Sequence, residues 1–97
     1  MFKELDPLLH AQLRLAVMSV LVRDKESEFT LLREKTQATA GNLSAQIKKL
    51  KAAGYIEIQK RFHQNYPQTI CKITAKGINA FDQYVLALES YLKKEAS

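Results

Sequence analysis

A chain of 97 residues with 46% hydrophobic and 26% charged side chains suits one folded globular domain and excludes a disordered polymer. Its only cysteine, Cys71, excludes an intrachain disulfide and any zinc-finger spacing, and its most apolar run, LRLAVMSVLV, is too short to cross a bilayer. The net charge of +5 is unevenly spread: residues 33 to 76 hold nine basic and two acidic side chains, which makes +7 there and −2 in the flanks. A basic middle of this kind fits either a solvated surface or an anionic partner.

The opening MFKELDPLL has no basic region leading into an apolar run, so a secretory leader is not expected and the reading is cytoplasmic. Asp6-Pro7 reads as a helix start, with Asp6 as the cap and proline in the first turn. Leu9, Leu13, Ala16, Val17, Val20 and Leu21 follow at helical spacing and predict a first helix over about 7–22, with Leu15 and Met18 outside its main stripe. RDKES is a polar connection. Thr30 is placed as the cap of a short helix, LLREKT, that buries Phe29 and Leu32, with room for a short extra strand near Phe29.

After a tight turn at 36–39, Thr39 caps a third helix over 39–53. Its buried stripe is Leu43, Ile47 and Leu50, and Gly54 supplies the left-handed terminus. Tyr55–Ile58 and Cys71–Ile73 alternate with period two and read as the strands of a hairpin joined through the polar loop HQNYPQ. An isolated hairpin is unstable, so Ile56, Ile58, Cys71 and Ile73 must pack on helices. Thr74 caps a last helix over about 75–93. The expected fold is mainly α with a two-stranded β-hairpin (α+β), in the order α-α-α-β-β-α of a winged helix-turn-helix, as a single domain over 1–97.

With Leu43, Ile47 and Leu50 turned inward, a step of about 100° per residue puts Gly41, Asn42, Ala45, Lys48, Lys49 and Ala52 on the opposite face, bordered by Ser44 and Gln46. Small residues at its centre allow close approach. Asn42 and Gln46 carry the paired donor and acceptor that match an adenine edge in the major groove. Lys48, Lys49 and Lys51 lie toward the end of the helix where cations favour the dipole. This face reads as a recognition helix, bases first and phosphates behind, or otherwise as an ordinary lysine-rich surface helix. The hairpin adds a wing over 60–69 in which Lys60, Arg61, His63, Gln64 and Asn65 could follow the backbone or minor groove.

GNLSAQIKKLKAAGYIEIQKRF, followed by PQTICKITAKGINAF, resembles the compact winged-helix transcriptional regulators of bacteria and archaea related to the MarR and ArsR groups. The resemblance covers nearly the whole chain. It implies a dimeric binder of double-stranded DNA, with Asn42, Ser44, Ala45, Gln46, Lys48 and Lys49 at recognition-helix positions. The wing lacks the Asp-x-Arg signature of MarR proteins, and the cysteine-rich metal motif of ArsR sensors is missing.

The last helix is apolar over nearly two faces. Ile78, Phe81, Val85, Leu88 and Leu92 form one stripe, and Ala80, Tyr84, Ala87 and Tyr91 form another roughly 120° away. One stripe suffices for the domain, so the other is expected to meet a second copy. The dimer region is then the first and last helices, with Ile78, Phe81, Tyr84, Val85, Leu88, Tyr91 and Leu92 as interface residues and space between the helices for an apolar effector. No catalytic, metal or cofactor motif is assembled. His10 and His63 lack partners in sequence, and Cys71 reads as a buried strand residue. The expected function is sequence-specific DNA binding by a homodimeric transcriptional regulator, acting as a repressor by occupying a promoter. The alternative is a winged-helix protein–protein interaction module that binds no nucleic acid.

Overall fold

The computed structural model describes residues 1–93. Four helices and a three-stranded antiparallel sheet follow in the order α1 (Gln12–Asp24), β1 (Glu26–Glu28), α2 (Phe29–Thr36), α3 (Ala40–Ala52), β2 (Ile56–His63), β3 (Tyr66–Ile73) and α4 (Ala75–Leu92). The sheet order is β1-β3-β2. This is the expected winged arrangement, with β1 as the extra strand; the Glu26–Ser27 part of RDKES pairs with Lys72 and Cys71 instead of forming a loose connection.

The first helix starts later than its local signal suggests. Asp6-Pro7 makes a single turn: the Asp6 Oδ1 accepts from Leu8 N–H at 2.9 Å, and the Asp6 carbonyl from Leu9 and His10 N–H at 3.1 and 2.9 Å. Ala11 is then extended, with φ −148°, and α1 begins at Gln12. Two contacts from outside hold the turn off the helix axis. Tyr55 donates its hydroxyl to Asp6 Oδ2 at 2.6 Å, and Tyr84 Oη lies 2.9 Å from His10 Nδ1. Leu9 is thereby delivered to the core, where it is fully buried. Met18 is also fully buried, so it belongs to the packed stripe of α1 and not to an outer one.

Thr30 does not cap α2. The cap position is Glu28, and the Thr30 hydroxyl donates back to Glu28 Oε2 at 3.1 Å. By contrast, Thr39 caps α3 as expected, accepting from the Asn42 N–H at 3.1 Å. Gly54, with φ 79°, ends that helix: Tyr55 N–H reaches Leu50 O at 3.0 Å and Gly54 N–H reaches Lys51 O at 2.9 Å, so the orphan carbonyls are satisfied. Leu43, Ile47 and Leu50 are buried against Val17, Leu21, Leu32 and Ile56. Each such aliphatic side chain contributes about 1.5–3 kcal/mol of burial.

The hairpin is longer than expected. HQNYPQ contracts to a two-residue turn at Gln64 and Asn65, both with positive φ (50° and 67°), and the strands pair from Ile56↔Ile73 to His63↔Tyr66. Pro67 is accommodated because the pair one step from the turn, Phe62↔Pro67, is the non-hydrogen-bonded kind, and β1 has already ended at Glu28↔Ile70. A donor is missing where none is needed.

Helix α4 is locked to the end of α3. The Thr74 hydroxyl accepts from Gly77 N–H at 3.0 Å and donates to Gly54 O at 2.6 Å. Gly77 sits so close that a Cβ there would lie 2.2 Å from the Tyr55 carbonyl oxygen. Among the described residues, no helix is long and apolar enough to cross a membrane.

Candidate nucleic-acid interface

The outward face of α3 is open. Gly41, Asn42, Ala45, Lys48 and Lys49 are exposed, Ser44 and Gln46 are half-buried at its edges, and a Cβ on Gly41 would meet nothing within 4 Å. Lys49 and Lys51 occupy the last turn, where their charges favour the carbonyl end of the helix. Capping at Thr39, an inward aliphatic stripe and the Gly54 terminus together fix the rotation of this helix. Sequence periodicity alone assigns the same face.

Its two amides are not free, however. Gln46 Oε1 accepts from Arg14 Nη1 on α1 at 2.5 Å, and Gln46 Nε2 donates to Asn42 Oδ1 at 3.1 Å. Arg14 is a residue that sequence reasoning missed. The one signal was a basic side chain set inside the apolar run LRLAV.

Alternation along the wing separates residues that the sequence groups together. Ile56, Ile58, Lys60 and Phe62 share the face turned toward α3, whereas Glu57, Gln59, Arg61 and His63 share the other. Lys60 donates to Thr69 Oγ1 at 2.7 Å and lines, with Ser44, Ile47, Lys48, Phe29 and Ile58, a crevice of about 260 Å³ between α3 and the wing. Two lysines and two hydroxyls meet at this crevice, a composition suited to a phosphate.

Arg61 instead forms a two-pronged ion pair with Glu26 on β1, at 2.6 and 3.2 Å, and donates to Gln59 Oε1 at 2.7 Å. The Arg61 hydrogen bond holds the Glu26 carboxyl below its ordinary range, and Glu26 raises the guanidinium in turn. Arg61 therefore does not stand with Lys60 as a free wing cation. Around the tip His63, Gln64 and Asn65 are exposed, with Phe62 and Tyr66 at 76% and 74% exposure.

The outer surface of α4 divides differently from the sequence-based interface. Tyr84 and Ala87 are buried in the protein's own core, with Tyr84 hydrogen-bonded to His10, so Tyr84 is withdrawn from the interface set. Phe81 and Leu88 are half-buried against that core. Tyr91 stacks on Phe2 at 4.8 Å and donates to Lys3 O at 2.8 Å, so the N-terminal segment covers one side of it. Ile78, Val85 and Leu92 remain exposed as an apolar strip, and the exposed Leu86 lies about 100° round the helix, beyond Asp82 and Glu89. Burial pushes the Cys71 thiol up to about 11, which leaves it neutral and shielded. Among the described residues, no group of three or more His, Cys, Asp and Glu side chains is placed to hold a metal.

Comparison with known proteins agrees with this geometry. The winged helix DNA-binding domain family matches residues 13–92. The uncharacterized protein MJ0432 of Methanocaldococcus jannaschii is 38% identical over 72 residues, covering 74% of this chain and 78% of that one. Among solved structures, the transcriptional regulator homologue from Pyrococcus horikoshii superposes with a TM-score of 0.83 at 24% identity, over 88% of this chain and 84% of that one. Reduced AbfR bound to DNA superposes with a TM-score of 0.70 at 17% identity, over 84% of this chain and 58% of that one.

Proposed function

The chain belongs to the winged helix DNA-binding domain family, and from that premise we propose that it is a cytoplasmic, homodimeric regulator of transcription that binds specific double-stranded DNA and represses by occupying a promoter. Helix α3 enters the major groove. Asn42, Ser44 and Ala45 face the bases, while Lys48 and Lys49 neutralise phosphates. The wing follows the flanking backbone, with Lys60 leading and His63, Gln64 and Asn65 at the tip. Two copies joined through α4 would present two α3 helices about 34 Å apart, to successive turns of one near-palindrome.

The observation that carries this reading is the outward face of α3: small at its centre, cationic at its end, and uncovered by the protein's own chain. A regulator homologue of similar fold and a DNA-bound neighbour support it. The exposed strip of Ile78, Val85 and Leu92 supports the dimer, since a second copy is the simplest surface to cover it. The cleft that α4 makes with Glu4–Pro7, Tyr55 and Lys76 is where a small effector would bear on α4.

Fluorescence anisotropy with labelled duplexes tests the proposal. Affinity should fall on the order of 10³-fold between 50 and 200 mM salt, as expected when six or more phosphates are neutralised. Replacing Lys48 and Lys49 with glutamate should abolish binding and leave the dimer intact. Absence of binding at every salt concentration would point to the protein–protein alternative. Binding that ignores salt, or a double variant that binds like the parent, would overturn the assignment of Lys48 and Lys49 to phosphates.

A further inference from the structure

The face of α3 is wired to a side chain outside it. Arg14 donates through Nε to the Leu8 carbonyl oxygen at 2.5 Å and through Nη1 to Gln46 Oε1 at 2.5 Å. A guanidinium offers five donors, no acceptor, and never deprotonates at physiological pH. The atom that Gln46 turns toward it must therefore be the carboxamide oxygen. That forces the Gln46 nitrogen outward, where it donates to Asn42 Oδ1 at 3.1 Å, one helical turn back. The Asn42 oxygen is thus held on the Gln46 side, and its nitrogen with two donors is left on the other edge of an exposed side chain. Each joint of this relay has only one sense.

Resting on the reading of α3 as the major-groove helix, we infer that Arg14 is a positioning residue for sequence discrimination: it fixes the polarity of the Gln46–Asn42 pair, and so fixes the order in which Asn42 offers donor and acceptor to a base pair. A carboxamide free to turn over presents donor and acceptor in either order and tolerates more than one base edge. Held at its oxygen, it presents one order, with the donors toward the start of α3 and the acceptor toward Gln46. The base edge it selects has an acceptor facing the Asn42 nitrogen, as purine N7 does. Two of the five Arg14 N–H donors are used within the protein, on Leu8 and Gln46, so its positioning effect is read as discrimination at one position, apart from what its charge adds to general affinity. Among the described residues, no carboxylate pairs with Arg14.

Three variants and one selection from a random duplex pool test this. Asn42→Ala identifies the base position that Asn42 reads. Arg14→Met removes the donors. Gln46→Glu keeps an oxygen for Arg14, and the contact to Leu8, but cannot donate to Asn42; it covers the case in which loss of Arg14 disturbs the N-terminal turn. The parent should show about tenfold preference at the Asn42 position. Arg14→Met should reduce it to less than twofold there, and Gln46→Glu, whose second oxygen can only accept from Asn42, should also lose the parent's preference. Both are compared as base ratios at that position, because a lost cation or an added carboxylate lowers the affinity for every duplex. A preference that stays sharp in Gln46→Glu, or in a folded Arg14→Met, overturns the relay while leaving the DNA-binding reading intact. A parent that enriches no sequence overturns that reading, and the relay with it.

Discussion

Helices α3 and α4 are built alike and finish differently. Each opens on a threonine whose hydroxyl accepts a main-chain N–H three residues on, Asn42 for Thr39 and Gly77 for Thr74. Each carries a glycine in its first turns and one buried stripe. The glycines show how far the two diverge. Gly77 is small because the Tyr55 carbonyl oxygen fills the space a Cβ would need, whereas Gly41 is small with nothing of its own chain nearby. Beyond the buried stripe, α3 offers amides and lysines, and α4 offers Ile78, Val85 and Leu92. The same local recipe makes a surface for a polyanion in one case and for an apolar partner in the other. What separates them is the chemistry left over after packing.

The largest effect should come from the two glycines. Gly77→Ala forces a Cβ onto a carbonyl oxygen and should cost about 3 kcal/mol of unfolding free energy. Gly41→Ala should instead raise stability by about 0.5 kcal/mol, because alanine is the better helix former. If that face enters a groove, the same substitution weakens DNA binding. Urea unfolding of both variants, beside anisotropy on Gly41→Ala, checks all three outcomes; equal effects at the two positions would erase the contrast.

Next is the partner face. Val85→Glu lies on an exposed strip, so stability should change by no more than about 0.5 kcal/mol. Sedimentation should show the parent as a dimer and the variant as a monomer, with weaker binding to a two-site duplex because avidity is lost.

The smallest effect concerns the tie between the N-terminal turn and the start of β2. The hydrogen bond to Asp6 pushes the Tyr55 hydroxyl up to about 12, with burial adding to the shift. A raised folded-state value favours the protonated form, so this contribution is present at neutral pH and is lost as pH rises from about 10 to 12. Tyr55→Phe should remove the part of the stability decline that falls in that window. Parallel denaturation profiles of the two proteins across pH 9 to 12 would reveal it as a narrowing difference.

Much of the architecture was legible because local and global preferences agree. The spacing of Leu43, Ile47 and Leu50 with Gly54 gives both the rotation and the end of α3, and therefore its outward face. Where legibility failed, a distant contact had overruled a local signal. Asp6-Pro7 starts a turn as its residues suggest, but Tyr55 and Tyr84 hold that turn away from α1. Glu26–Glu28 has no strand composition and becomes a strand by pairing with β3. Lys60 and Arg61 were grouped by charge, although neighbours on a strand point to opposite faces, and Arg61 is taken by Glu26. Two apolar stripes on α4 were visible, but composition could not say which one the core would take; the buried Tyr84 and Ala87 decide it. The Arg14–Gln46 contact joins residues thirty-two positions apart, and no periodicity reports such a bond.

The measurement that bears most directly on the outward face of α3 is a titration of isotope-labelled protein with a duplex selected from the random pool, followed by amide chemical shifts. Gly41, Asn42, Ala45 and Lys49 should move most, the hairpin tip less, and Ile78 and Val85 on α4 hardly at all. Shifts confined to α4, with the third helix silent at saturation, would contradict the account.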